Sequence, residues 1–219
     1  MGLLRSPAQV QVPAQTEQAV NLTLWLIAAY LTGSFPSSYL AGRIAGVDLR
    51  QQGSKNLGAT NVYRVLGWRY AVPVGVMDVL KGVLPVTLYS PIAGSQPWVP
   101  MSMGVAAVLG HVYSVFVRFK GGKGVATAAG AVLGLAPLAL GLSAVVWVLT
   151  LALTGYVSLA SMLGAVAFPI AARITAPDDP YTFGIGLLLA LFIVVTHRSN
   201  IRRLASGTEN RFRRARQGN

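Results

Sequence analysis

Two polar blocks carry much of the chemistry available to this chain: GSKNLGATNVYR, from Gly53 to Arg64, and KGGKGVAT, from Lys120 to Thr127. Neither contains an acid. Glycine lets backbone N–H groups approach an anion closely, and cationic side chains add charge. In the first block Ser54, Asn56, Thr60 and Asn61 offer neutral hydrogen bonds. Arg50 just upstream, Lys55 and Arg64 supply charge, and an arginine can grip two phosphate oxygens at once. In the second block Gly121, Gly122 and Gly124 precede an apolar, helical run. The N–H groups of a helix N-terminus would then face an anion beside the ammonium of Lys123. This is not a Walker A loop, because Gly124 stands where Ser or Thr is required and the upstream glycine is missing. The alternative for both blocks is a solvated turn whose cations only set membrane topology.

A third block, THRSNIRRLASGTE, runs from Thr196 to Glu209. His197 and Asn200 are three apart and share a helix face, with Arg203 at a similar azimuth. Glu209 is within reach of the neighbouring arginines. The competing reading is a basic amphipathic tail lying on anionic lipid. Asp78 and Lys81, spaced i, i+3, sit inside an apolar run. Intramembrane charges are expensive, so this pair is expected to neutralise itself facing the bundle interior, in a structural role. His111 reads as a hydrogen-bonded packing residue.

These blocks must be positioned by membrane helices. Of 219 residues, 53% are hydrophobic and only 11% charged, where a soluble domain carries about a quarter charged residues. The net charge of +12 sits in the connections between apolar runs and in the tail, a pattern of cytoplasmic membrane loops rather than of nucleic-acid binding. Apolar runs cover 19–42, 70–93, 98–117, 124–173 and 181–197. Pro137 and Gly155–Tyr156 offer breaks in the long fourth run. The stretch 43–69, RFKGGK at 118–123 and the tail are all basic, so all three should face the cytoplasm. Parity then requires an odd number of crossings within 124–173, and three fit its length. The expectation is an all-α integral membrane protein with seven transmembrane helices, some short or broken. Residues 1–18 form a polar tail, 19–205 the seven-span domain and 206–219 a basic cytoplasmic tail. The N-terminus and ITAPDDP fall outside.

Other chemistries find no residues. There is no cysteine, which excludes a thiolate nucleophile, a thiolate metal site and a disulfide scaffold. The acids Glu17, Asp48, Asp78, Asp178, Asp179 and Glu209 form no carboxylate cage with the two histidines, so no metal and no cofactor is expected. Neither His111 nor His197 has an acid five residues later, which excludes a His-x4-Asp acyltransferase pair. A phosphate or organophosphate transporter is the alternative of a different class. It lacks repeat symmetry and further basic residues at mid-membrane.

Taken together, the stretches GSFPSSYLAGRIAGVDLRQQGSKNLGATNVYRVLG, DVLKG, GHVYSVFVRFKGGKGVATAAG and HRSNIRRLASGTE resemble the PlsY family of bacterial membrane acyltransferases. They stand in the family's order and cover nearly all of Gly33 to Glu209. The resemblance implies acyl transfer from acyl phosphate to the 1-hydroxyl of sn-glycerol 3-phosphate, giving lysophosphatidic acid and phosphate. It implies no need for acyl-CoA or acyl-carrier protein, and a multi-pass protein of the bacterial plasma membrane with a cytoplasmic site. Carried onto this chain, catalytic roles fall to Ser54, Arg64, Lys123, His197 and Asn200. Substrate binding falls to Arg50, Asn56, Thr60, Asn61, Gly121, Gly122 and Gly124, to which the loop's own chemistry adds Lys55, and Glu209 is structural. One departure stands out. The family's first motif reads GSGN, and Lys55 replaces its second glycine here. Either the backbone does not need positive φ at that position, or the site gains a cation. The proton acceptor is open between His197 and a substrate phosphate oxygen. The substrate-assisted route is favoured, because the first two blocks hold no base.

Overall fold

The computed structural model describes residues 14–212, with side chains from Asn21 onward. Most of the expected tail 1–18 and the end of the basic tail, 213–219, therefore lie outside the described residues. All regular structure among the described residues is helical.

The first apolar run does not form one helix. Helix α1, Ala14–Ser34, stops before Pro36, and α2, Ser37–Ile44, restarts after it. Proline lacks an N–H and pushes the preceding residue out of the helical region. The polar stretch that follows contains α3, Ala59–Leu66, and turns at Gly67 into α4, Trp68–Leu84. Pro85 opens a π-helical turn, Pro85–Tyr89, which continues into α5, Ser90–Ala93. Next come α6, Val99–Val112, and a 3-10 turn at Val115–Val117. The long fourth run holds three helices: α7, Val125–Leu135; α8, Pro137–Thr154; and α9, Val157–Thr175. They break at Pro137 and at Gly155, whose φ of +74° suits glycine. Helix α10, Pro180–Thr196, begins at Asp179, whose carboxylate accepts from the N–H groups of Tyr181 and Thr182. Helix α11, Arg198–Ala205, turns away from it by 59°.

Among the described residues, four segments are long and apolar enough to cross a bilayer alone: Trp68–Ala93, Val99–Val117, Pro137–Thr154 and Val157–Thr175. Helix α10 joins them only when taken together with α11. Helix α7 has 11 residues, about 16 Å at 1.5 Å per residue, roughly half a bilayer core. By length and composition the described helices supply four crossings, or five with the bent α10–α11 pair.

Inside lipid the hydrophobic effect does not drive helices together, and close backbone approach does much of the work. Two crossings show it. A Cβ on Gly33 would lie 2.0 Å from the Ala107 carbonyl oxygen, and one on Gly110 would lie 2.1 Å from that of Tyr30, so α1 and α6 touch backbone to backbone. Gly82 and Gly130 do the same for α4 and α7, each 2.0 Å from a facing carbonyl oxygen. Beside these crossings lies the buried charge pair. Asp78 Oδ1 accepts from Lys81 Nζ at 2.6 Å and from Ser37 Oγ at 2.5 Å. Lys81 Nζ also donates to Ser37 Oγ at 2.9 Å, which ties α2 to α4.

Candidate active site

The first polar block is a loop folded around one amide. Asn61, 1% exposed, donates from Nδ2 to the carbonyls of Leu49 and Gln52, and its Oδ1 accepts from the Ser54 N–H at 2.7 Å. Its hydrogen bonds thus close the loop rather than reach outward. Lys55 sits at φ +59°, so the backbone does require the left-handed conformation there, a strained one for any residue with a Cβ. Arg50 turns back onto Asp48, with Nε to Oδ1 at 3.0 Å and Nη2 to Oδ2 at 3.0 Å. The loop ends at Gly58, which starts α3 with no side chain capping its first N–H groups.

The second block is pinned to α6. The N–H of Gly121 donates to the Val112 carbonyl and that of Gly122 to the His111 carbonyl. Those two N–H groups are therefore held inside the loop, not offered to an anion. What the glycines contribute is space: a Cβ on Gly122 would sit 2.2 Å from His111 Nε2 and 2.4 Å from the Leu57 carbonyl oxygen. His111 Nδ1 in turn lies 3.8 Å from Asp78 Oδ1. Gly124, at φ +84°, opens α7, which also has no side-chain cap.

The third block brings up the far wall. Lys123 Nζ donates to Asn200 Oδ1. Asn200 Nδ2 donates to Glu209 Oε1 at 2.6 Å, and Ser158 Oγ donates to the same oxygen at 2.8 Å. Arg203 Nε donates to Glu209 Oε2 at 2.7 Å. Thr196 Oγ1 donates to the Lys123 carbonyl. The segment after Glu209 then crosses to α3, where Arg64 donates to the Asn210 carbonyl and Tyr63 stacks on Phe212 at 5.0 Å.

Electrostatics follow from this burial. Desolvation, then the nearby Arg203, lowers the Lys123 ammonium to about 8. His197, just past the end of α10, is lowered to about 4 by burial and then by the Lys123 charge. Its Nδ1 lies 2.7 Å from the Ile193 carbonyl. A carbonyl only accepts, so Nδ1 carries the proton and Nε2 is a hydrogen-bond acceptor. Burial pushes Glu209 upward, but hydrogen bonds from Asn200, Arg203 and Ser158 outweigh it and hold its carboxyl below the usual range.

All three blocks open on one cavity of about 430 Å³. Ser54, Asn56, Thr60, Asn61, Arg64, Lys123, Gly124, His197, Asn200 and Glu209 line it; so does Asp78 of the buried pair. Arg50, Lys55, Lys81, Gly121 and Gly122 do not. The polar residues come from the loop before α3 and α3 itself, from Asp78 on α4, from Lys123 just before α7, and from His197 through α11 to Glu209. From that end the walls turn apolar, through Val132 on α7, Trp147 on α8, Phe168 on α9 and Leu189 on α10. Nothing in the sequence marks these slot residues, since apolar residues dominate every face of a span, whether it meets a cavity, a neighbour or lipid. Ser158 was likewise missed, being an ordinary hydroxyl in an apolar run.

The family model for glycerol-3-phosphate acyltransferase matches residues 23–207. A glycerol-3-phosphate acyltransferase of Geobacter sulfurreducens is 43% identical over 89% of this chain and 99% of its own length. One of Geotalea daltonii is 46% identical over 86% and 96%. Among solved structures, the integral membrane glycerol 3-phosphate acyltransferase PlsY in its glycerol 3-phosphate form superposes with a TM-score of 0.83 at 39% identity, covering 88% of this chain and 96% of that one. Its lysophosphatidic acid form gives 0.80 at 38% identity. An all-helical chain that matches the family model and these relatives over nearly its whole length belongs to the PlsY family of integral membrane glycerol-3-phosphate acyltransferases.

Proposed function

We propose that this chain transfers a fatty acyl group from acyl phosphate to the 1-hydroxyl of sn-glycerol 3-phosphate, releasing lysophosphatidic acid and inorganic phosphate. The observation that carries the reading is the two-ended cavity. Two helix starts without side-chain caps, α3 at Gly58 and α7 at Gly124, meet Lys123 and Arg64 at the end that continues into an apolar slot. Free N–H groups at helix starts attract anions, so the polar end suits two phosphates. The slot suits an acyl chain.

The substrate oxygen attacks the acyl carbonyl, a tetrahedral intermediate forms, and the bond from carbon to the phosphate oxygen breaks. Acyl phosphate is a mixed anhydride with a good leaving group, so no acyl-enzyme is required. Lys123, Arg64 and the helix starts neutralise the phosphates and the developing oxyanion, with Ser54, Asn56 and Thr60 as neutral donors. Holding both substrates together lowers the barrier by on the order of 7 kcal/mol. A base at about 4 is a poor match to neutral pH. The hydroxyl proton therefore passes to a phosphate oxygen, while neutral His197 accepts a hydrogen bond that orients the glycerol. Asn200 and Glu209 hold Lys123 in place.

The basic connections support a site and C-terminus on the cytoplasmic side of the bacterial plasma membrane, an N-terminus outside and seven crossings. Purified protein in detergent or lipid, given acyl phosphate and labelled glycerol 3-phosphate, tests the reaction. Lipid-soluble label without acyl-CoA or acyl-carrier protein is the expected result. Unmodified label trapped in sealed vesicles would replace the enzyme by a transporter.

A further inference from the structure

The slot has an end. Its lining reaches no further than Val132 on α7, Leu140 on α8, Phe168 on α9 and Gly186 on α10. Beyond that level Ala139, Ala171 and Ala172 are fully packed, at 0%, 4% and 1% exposure, and do not line the cavity. Along α10 the wall runs from His197 back to Gly186, eleven residues or about 16 Å at 1.5 Å per residue. The floor itself is a ring against a glycine. Phe168 is 5% exposed, and a Cβ on Gly186 would lie 2.9 Å from Phe168 Cδ1 and 3.1 Å from Cε1. The absence of a side chain at Gly186 is what lets the ring lie back.

We infer that the Phe168–Gly186 contact is the acyl-chain ruler of this protein: it sets the longest saturated acyl group that can lie in the slot with its carbonyl beside Lys123. The inference rests on the acyl-donor reading above and adds a residue-level determinant to it. A side chain at Gly186 drives the ring into the slot and shortens it. Removing the ring opens the floor toward Ala171 and Ala172 and lengthens it. Each methylene that gains or loses its apolar surroundings changes binding by about fourfold. Two methylenes give a change on the order of tenfold.

The test compares initial rates with stearoyl phosphate and lauroyl phosphate, each with saturating glycerol 3-phosphate, for the parent protein, Gly186→Leu and Phe168→Ala. The stearoyl-to-lauroyl rate ratio is expected to fall roughly tenfold in Gly186→Leu and to rise in Phe168→Ala. Phe168→Ala reads the inference alone if the leucine variant does not accumulate. Turnover with a ratio equal to the parent's overturns the ruler and leaves the donor assignment standing. A parent that turns over neither donor overturns the donor assignment, and the ruler with it.

Discussion

Lys123 donates to the side-chain oxygen of Asn200, and Asn200 passes the contact on to Glu209. The cation from the glycine-rich loop is thus aimed by a residue on a helix 77 positions later. Lys123 is also largely out of water, which brings its deprotonation close to neutral pH.

Activity should therefore have an alkaline limb. Below about 8 Lys123 is cationic and above it neutral, so kcat/KM for the free enzyme is expected to decline as pH rises through that value. Lys123→Arg keeps a cation at all accessible pH and should remove the limb while lowering the plateau. No acid limb from His197 is expected near 6.5, since it stays neutral down to about 4. A pH–rate profile of both proteins decides.

The same limb should respond to Glu209. Its negative charge favours the ammonium of Lys123. Glu209→Gln removes that support, so Lys123 loses its proton more readily and the limb moves to lower pH. Arg203 also loses its ion pair, and a stability loss of about 1–3 kcal/mol is expected. The shifted limb separates the electrostatic effect from a merely weakened fold.

Substituting His197 tests its role directly. Gln retains a hydrogen-bond acceptor and cannot take a proton. His197→Gln is expected to raise KM for glycerol 3-phosphate while leaving measurable kcat, and His197→Ala to be worse. Total loss of turnover with unchanged substrate affinity in the Gln protein would make His197 the base.

Lys55 offers a stability experiment. At φ +59° a Cβ costs about 1–2 kcal/mol that glycine avoids, offset in part by the greater freedom of glycine when unfolded. Lys55→Gly is expected to raise thermal stability by up to about 1 kcal/mol, with activity near the parent's. A drop in activity at unchanged stability would show that the ammonium itself works in the site.

The α4–α7 crossing should tolerate no side chain. Gly82→Val would drive its Cβ into the Thr127 carbonyl oxygen, 2.0 Å away. Because α7 begins at the Lys123 loop, the variant should lose both thermal stability in detergent and turnover. Gly141→Val, at a position with nothing within 4 Å, is the matched control and should keep both.

Much of this was legible in the sequence because its physics is local. Apolar runs too poor in charge to be soluble called for membrane helices. Pro137 and Gly155 marked real breaks, and the i, i+3 spacing of Asp78 and Lys81 announced their ion pair. Glycines beside Lys, Arg, Ser and Asn pointed to the anion chemistry proposed for the cavity. The family resemblance exposed the departure at Lys55, though only the backbone showed that positive φ is needed there. What spacing cannot carry is direction and distance. Whether Arg50 reaches outward or folds onto Asp48, and whether the Gly121 and Gly122 N–H groups are free or held by α6, depends on which partner lies nearest in space. The course of the slot from Lys123 to Phe168 is decided in the same way. It comes from four helices whose sequences look alike on every face, and only their packing chooses which apolar side chains meet the cavity and which meet lipid.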